Sequence, residues 1–202
     1  KHVDDLARVH AARVERELAL DNLDEALALA RRAVADPAPD APRGPTRLLH
    51  RRSLRLWNLA LDLEESLNGD EGMRAAYERC LRLKVATPAV VANYAAFLKD
   101  HGYFEDGLAA HEKGLALFPP PHEASAALWR SYLDDFVERY RNTQIVRARE
   151  LFERCLAAPH DPSHLSVFHL KYAAYERDHA KGPSSTKRLL SIHERMCTAV
   201  PL

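Results

Sequence analysis

The segment Phe152-Glu153-Arg154-Cys155-Leu156 is the clearest copy of a sequence repeat in this chain. In each copy an aromatic residue or histidine is followed by glutamate and then by a basic residue. The other copies are Tyr77-Glu78-Arg79-Cys80-Leu81, His111-Glu112-Lys113-Gly114-Leu115 and His193-Glu194-Arg195-Met196-Cys197. Successive copies lie 34, 41 and 41 residues apart, and a proline follows each within seven to eleven residues. Because proline ends helices, each copy is predicted to lie in the last turns of a helix.

A second pattern, made of aromatic residues, lies about twenty residues upstream of each copy. Its members are Trp57; Tyr94 and Phe97; Trp129, Tyr132 and Phe136; and Phe168, Tyr172 and Tyr175. Aromatic residues three or four positions apart share one face of a helix. Between the two patterns lie residues of the types that tolerate the left-handed backbone conformation common at helix C-termini. They are Gly69, Gly102, Asn142 and Gly182. Each unit is therefore predicted to be a helix, a short turn and a second helix.

Single hairpins of this size cannot bury their aromatic residues, so neighbouring hairpins are predicted to stack. The predicted fold is all-α, a right-handed superhelical stack of helical hairpins, or α-solenoid. The scarcity of glycine and the abundance of Ala, Leu, Arg and Glu agree with it. The residues predicted to pack between hairpins, rather than to form a ligand-binding aromatic cage, are Trp57, Tyr77, Tyr94, Phe97, Trp129, Tyr132, Phe152 and Tyr172.

Four hairpins are predicted within residues 48–202, at about 48–88, 89–121, 122–160 and 161–202. A weaker hairpin at 1–36 carries Ala30 where the others have an aromatic residue, and the proline-rich residues 37–47 are predicted to form a flexible insertion. The predicted helices lie near 2–20, 22–36, 48–67, 70–85, 89–100, 103–118, 123–140, 143–158, 163–181 and 184–199.

The repeated Glu-Arg or Glu-Lys pair is predicted to tie one helix to its neighbour. Adjacent positions on a helix point about a hundred degrees apart, so these two side chains cannot pair with each other. Other acidic pairs, such as Glu64-Glu65 and Asp134-Asp135, are predicted to lie on solvated helix faces.

Basic and acidic residues are equal in number, at 29 each, so the chain lacks a general positive field that would attract RNA. One local exception is Arg47, Arg51 and Arg55, which would form a stripe if a helix began near Thr46. Phosphate or an acidic partner could dock on this stripe. The alternative is a solvated face that acidic residues of the neighbouring hairpin neutralise.

The sequence contains no complete catalytic, cofactor-binding or metal-binding motif. His111-Glu112 and His193-Glu194 begin like a zinc-protease motif but lack its second histidine, and Pro162 separates His160 from His164. Neither an enzyme activity nor a cofactor is predicted, and no apolar run is long enough to suggest a membrane span. The three cysteines are widely separated, which predicts buried, reduced thiols in an intracellular protein; they are Cys80, Cys155 and Cys197.

These units resemble the half-a-tetratricopeptide (HAT) repeats of RNA-processing proteins. Ordinary tetratricopeptide repeats keep a period of 34 residues and a Leu-Gly pair that is missing here. The resemblance narrows to the Syf-type pre-mRNA-splicing factors, the XPA-binding protein family, over about 48–200, whereas residues 1–47 match only in general character. It rests on Leu56-Trp57-Asn58, Leu63-Glu64-Glu65-Ser66-Leu67, Ala86-Thr87-Pro88, Asn93-Tyr94-Ala95, Tyr103-Phe104-Glu105 and Arg147-Ala148-Arg149-Glu150-Leu151-Phe152-Glu153.

The resemblance implies a piece of a protein–protein interaction scaffold in the nucleus, within the NineTeen-associated, intron-binding region of the spliceosome. It implies spliceosomal partners, among them a crooked-neck-type HAT protein and an Aquarius-type helicase, and no catalytic residues. Two alternatives stay open: direct RNA binding through the arginine stripe, and a HAT scaffold of another RNA-processing pathway. Net neutrality, and the lack of aromatic residues interleaved with basic ones, favour the scaffold over RNA binding.

Overall fold

A computed structural model describes residues 3–36, 50–67, 69–179 and 184–199. Within these residues all regular secondary structure is helical, which confirms the predicted all-α class. The ten α-helices of the described residues are α1 (Val3–Ala19), α2 (Leu23–Val34), α3 (Leu54–Leu67), α4 (Asp70–Arg82), α5 (Pro88–Asp100), α6 (Phe104–Leu117), α7 (Glu123–Tyr140), α8 (Ile145–Ala157), α9 (Pro162–Asp178) and α10 (Ser185–Ala199). None of them is long and apolar enough to cross a membrane. The predicted insertion at 37–47 lies outside the described residues.

The start of α3 differs from the prediction of a helix over residues 48–67. The α-helix begins at Leu54, and His50–Arg52 form a separate 3-10 turn before it. The indole Nε1 of Trp57 donates a hydrogen bond of 2.7 Å to the carbonyl oxygen of Arg51. A buried indole N–H usually finds such an acceptor, and here the acceptor lies in the 3-10 turn that precedes the helix.

The chain divides into two compact units, Lys1–Val90 and Val91–Leu202. In the first unit, α1 and α2 pack against each other, α3 packs on both, and α4 packs on α3. The first hairpin is built largely from buried alanines, including Ala11, Ala26 and Ala30. Small side chains on facing helices let the backbones come close together, which is how this hairpin forms a core without the aromatic residue that Ala30 replaces.

In the second unit, consecutive helices from α6 to α10 pack on each other, and α9 also contacts α7. The core is aromatic: the rings of Phe152 and Tyr172 stack with centroids 4.9 Å apart and planes inclined by 7°. Helix α6 approaches α5 closely at Gly114, where an added Cβ would lie 2.4 Å from Cγ1 of Val91. This glycine takes the repeat position that Cys80 and Cys155 occupy in other copies, and all three positions are buried.

Candidate interaction surfaces

The glutamate of one repeat copy pairs with the arginine of the next copy. Arg154 on α8 donates two hydrogen bonds to Glu112 on α6, at 2.9 and 2.8 Å. Arg195 on α10 donates two hydrogen bonds to Glu153 on α8, at 2.8 and 2.9 Å. Both pairs are separated by 42 residues. The prediction that the Glu-Arg motif ties one helix to its neighbour is therefore confirmed for these two pairs, which join three copies.

A third pair of the same kind joins the beginnings of α6 and α8. Arg147 donates two hydrogen bonds of 2.9 Å to Glu105, again across 42 residues, and the Tyr140 hydroxyl also donates to Glu105. Glu105–Arg147, Glu112–Arg154 and Glu153–Arg195 are called the inter-repeat pairs below. In each, the hydrogen bonds from arginine are the largest cause that lowers the pKa of the carboxyl group below its usual value.

The Glu112–Arg154 pair is built on two predicted packing residues. The hydroxyl of Tyr132 donates a 2.6 Å hydrogen bond to Glu112, and the Arg154 guanidinium lies 5.7 Å from the ring centroid of Trp129. Burial, followed by the hydrogen bond to Glu112, raises the pKa of Tyr132, so the phenol stays protonated and keeps donating. Arg154 thus forms both a bidentate ion pair with Glu112 and a cation–π contact with Trp129.

Two further arginine–glutamate pairs join a second helix to the first helix of the next hairpin. Arg31 on α2 donates to Glu64 on α3 at 2.6 and 2.8 Å. Arg149 on α8 donates to Glu176 on α9 at 2.5 and 2.9 Å. Both glutamates are buried, where an ionised carboxylate requires such a partner. The prediction that Glu64 lies on a solvated face is wrong, because Arg31 allows this carboxylate to enter the interface.

His111, which takes an aromatic position of the repeat, is fully buried between α6 and α7. Its Nε2 lies 2.8 Å from Oδ2 of Asp135, and its ring stacks on Tyr132 with centroids 5.5 Å apart. Lys99 donates a 2.9 Å hydrogen bond to the other oxygen of Asp135. Burial acts to raise the pKa of Asp135, but the hydrogen bonds from His111 and Lys99 outweigh it and lower that pKa. The prediction of a solvated face is therefore wrong for Asp135 and holds for the exposed Asp134.

The predicted packing residues lie within the helices of both units. Phe97 is half-buried. The buried ones are Trp57, Tyr77, Tyr94, Trp129, Tyr132, Phe152 and Tyr172.

The predicted arginine stripe is not carried by one helix. Arg47 lies outside the described residues, Arg51 lies in the 3-10 turn, and Arg55 lies in the first turn of α3. Arg55 forms a 2.6 Å ion pair with Glu15 of α1. An acidic partner on the neighbouring hairpin agrees with the alternative interpretation, in which the arginines form a solvated face that acidic residues neutralise. Contact of these arginines with another molecule stays a prediction.

The cysteines are free, and Cys80 and Cys155 are buried. Burial raises the pKa of Cys80 to about 11 and that of Cys155 to about 12, so both thiols stay protonated. Cys197 is exposed, and its predicted burial is wrong. Helix α10 packs on α9 through one face, on which Ile192 is buried, and Cys197 lies away from that face. In the described part of the chain no group of histidine, cysteine, aspartate and glutamate side chains could hold a metal ion.

Comparison with known proteins identifies the family. The family model for the pre-mRNA-splicing factor Syf1/CRNKL1 C-terminal HAT repeat matches residues 1–202. The match includes residues 1–47, for which the sequence patterns alone predicted only a general likeness. The chain is 39% identical to the pre-mRNA-splicing factor syf1 homolog of Drosophila melanogaster over 98% of its own length and 22% of that protein.

Two other relatives are similarly close. The chain is 38% identical to human pre-mRNA-splicing factor SYF1 over 99% of its own length and 23% of that protein. It is also 38% identical to pre-mRNA-splicing factor cwf3 of Schizosaccharomyces pombe, over 99% of its length and 25% of that protein. The chain thus spans about a quarter or less of these relatives. It belongs to the Syf1/CRNKL1 C-terminal HAT-repeat family, whose members are helical solenoids.

Proposed function

We propose that this chain is part of a protein–protein interaction scaffold for pre-mRNA splicing in the nucleus. The names of its relatives, all pre-mRNA-splicing factors, support the process. The observation that carries the scaffold role is the set of inter-repeat pairs. Two of these pairs use the recurrent residues of the Glu-Arg motif, and all three hold successive hairpins together. A stiffened array of this kind can keep partners at fixed separations.

The partners proposed for the full-length protein are spliceosomal proteins of the NineTeen-associated, intron-binding region. A crooked-neck-type HAT protein and an Aquarius-type helicase are the two specific candidates. Neither a catalytic role nor a cofactor is part of the proposal. The surface left by the packed repeats carries both charge signs, and this composition suits polar contacts with proteins.

Direct RNA binding is the alternative function, and two observations weigh against it. Basic and acidic residues are equal in number, and Arg55, one member of the predicted stripe, already pairs with Glu15. An RNA contact would therefore be local. A HAT scaffold of another RNA-processing pathway is not favoured either, because the relatives described above are all splicing factors.

The function is tested by purifying the tagged full-length protein from nuclei and comparing it with a form that lacks the segment corresponding to this chain. We expect quantitative mass spectrometry to show that the shortened form loses specific spliceosomal proteins. A third form carries Arg154→Glu and Arg195→Glu, which break two inter-repeat pairs, and we expect it to lose the same proteins in part. An unchanged set of co-purifying proteins in the shortened form would rule out the scaffold role for this segment.

A further inference from the structure

A groove opens between α2, α3 and α4 in the unit that spans Lys1–Val90. Its volume of about 460 Å³ lies within the range of about 300 to 1,000 Å³ that is common for ligand-binding clefts. Small residues, including Ala60, Gly72 and Ala76, line it. This α2–α4 groove therefore has room for side chains of another molecule against a largely apolar lining.

The ionisable residues that line the α2–α4 groove are mostly basic. They comprise Arg31, Arg32 and Arg79 against one acid, Glu64. Both carboxylate oxygens of the buried Glu64 accept hydrogen bonds from Arg31, at 2.6 and 2.8 Å. The Arg31 and Arg32 side chains nevertheless remain 50% and 65% exposed. The groove consequently presents guanidinium groups to solvent and no exposed lining carboxylate.

The other acidic groups near these arginines lie at exposed positions. Arg32 pairs with Glu25 at 2.8 Å, and Arg79 lies 3.3 Å from Asp36. The Arg32–Glu25 pair is exposed on both sides, and such pairs contribute little to stability, so a carboxylate from a partner can replace or join it. Arg79 is less accessible than Arg31 and Arg32. Its side chain is only 24% exposed, its Nη2 also donates a 2.6 Å hydrogen bond to the Val34 carbonyl oxygen, and its Nε is buried.

We propose that the α2–α4 groove binds an acidic segment of a partner protein. Carboxylates of that segment pair with the exposed Arg31 and Arg32, and its small or apolar side chains lie against the alanine and glycine lining. Arginine clusters commonly recognise acidic motifs, because the guanidinium group matches the carboxylate with two parallel hydrogen bonds. This proposal rests on the scaffold function and specifies one surface and the chemistry of its partner.

RNA fits the α2–α4 groove less well than an acidic protein segment does. Single-stranded RNA sites combine basic residues with exposed aromatic rings on which bases stack. Among the described residues that line the groove, Trp57 is the one aromatic residue, and it is only 1% exposed.

The test selects binders from a display library of random dodecapeptides with the 202-residue chain as bait. We expect the enriched peptides to be acidic with interspersed alanine or leucine. Fluorescence anisotropy then measures the affinity of the most enriched peptide, its lysine-substituted counterpart and an oligouridine RNA. Enrichment of basic or neutral peptides, or no enrichment, would overturn the proposal, and so would tighter binding of the RNA than of the acidic peptide.

Matched variants locate the binding. Arg32→Glu is expected to weaken the binding of the acidic peptide at least tenfold. Ala75→Glu, which places a negative charge at an exposed lining position, is expected to weaken it as much. Ala75→Gln and Arg177→Glu are the controls; the latter makes the same charge change at an arginine of similar exposure, 68%, in the other unit. Equal losses in Arg177→Glu and Arg32→Glu would show a general charge effect and overturn the site. If the peptide tests fail while the full-length segment still retains spliceosomal proteins, the groove is refuted and the scaffold function stands.

Discussion

Arg154 and Glu112 lie 42 residues apart in the chain and face each other across two parallel hydrogen bonds of 2.9 and 2.8 Å. Arg195 and Glu153 form the same arrangement at the same repeat positions. The recurrent Glu-Arg motif thus acts between repeats rather than within one. Because Glu112 and Glu153 each meet the arginine of the following hairpin, these two pairs favour one register in which the hairpins stack.

Reversing the charge of Arg154 is expected to destabilise the second unit. Arg154→Glu and Glu112→Arg should each lower the free energy of unfolding by about 0.5 to 1 kcal/mol, because the pair is partly exposed. The double exchange should recover part of this loss, since it restores opposite charges at the same place. Urea unfolding measures all three variants. As a control, Arg177→Glu should lower the free energy of unfolding less than either single reversal does, because the partner of Arg177 is its chain neighbour Asp178. Additive losses in the double variant would argue against the pair.

Acid is expected to weaken the second unit through the inter-repeat pairs. The pKa values of Glu105, Glu112 and Glu153 are lowered in the folded protein, so the unfolded chain binds more protons as the pH falls. Stability from these pairs is therefore complete above the unfolded pKa of about 4.5 and is lost as the pH falls through the folded pKa values. Urea unfolding between pH 7 and pH 3 should show a shallower decline for Glu112→Gln. An identical decline in this variant and the wild type would contradict the role of Glu112.

Gly114→Ala is expected to destabilise the α5–α6 packing. The added Cβ would lie 2.4 Å from Cγ1 of Val91, and overpacking of this kind costs about 1 to 3 kcal/mol. The gain of roughly 0.5 to 1 kcal/mol from replacing glycine inside a helix is smaller. Removing the Val91 methyl groups provides the control, since Gly114→Ala should cost less in a Val91→Ala background. Thermal unfolding that shows the same cost in both backgrounds would contradict the steric explanation.

Trp129→Ala is expected to lower the free energy of unfolding by about 3 to 5 kcal/mol, because this side chain is buried on α7. In a linear repeat array the loss falls mainly on the affected hairpin and its neighbours. Hydrogen exchange should therefore rise in α7 and α8 before it rises in α1 and α2. A uniform rise along the chain, or an unchanged melting curve, would contradict this expectation.

The helices could be predicted because their ends are marked locally. Proline, glycine and the spacing of aromatic residues placed most helix boundaries within a few residues of those in the structure. The start of α3 was missed because a 3-10 turn at His50–Arg52 precedes it, and the Arg51 carbonyl of that turn accepts a hydrogen bond from the Trp57 indole. No sequence pattern reveals that contact.

The interface positions of two acidic residues were missed for a different reason. Glu64 and Asp135 each look like one half of an exposed acidic pair, and their partners Arg31 and His111 lie 33 and 24 residues away. Helical periodicity alone assigns acidic residues to the solvent side. One signal was available in the sequence: His111 occupies an aromatic position of the repeat, and a buried histidine requires a polar neighbour.

The choice between a protein scaffold and an RNA-binding module is tested most directly by the RNA affinity of the isolated 202-residue chain at physiological salt. We expect a dissociation constant no tighter than about 10⁻⁶ M, the range of non-specific binding. The triple variant Arg47→Glu, Arg51→Glu, Arg55→Glu should then keep the circular dichroism spectrum of the wild type and change the RNA affinity little. Nanomolar RNA binding by the wild-type chain, abolished in the triple variant, would contradict the scaffold and establish the RNA-binding alternative.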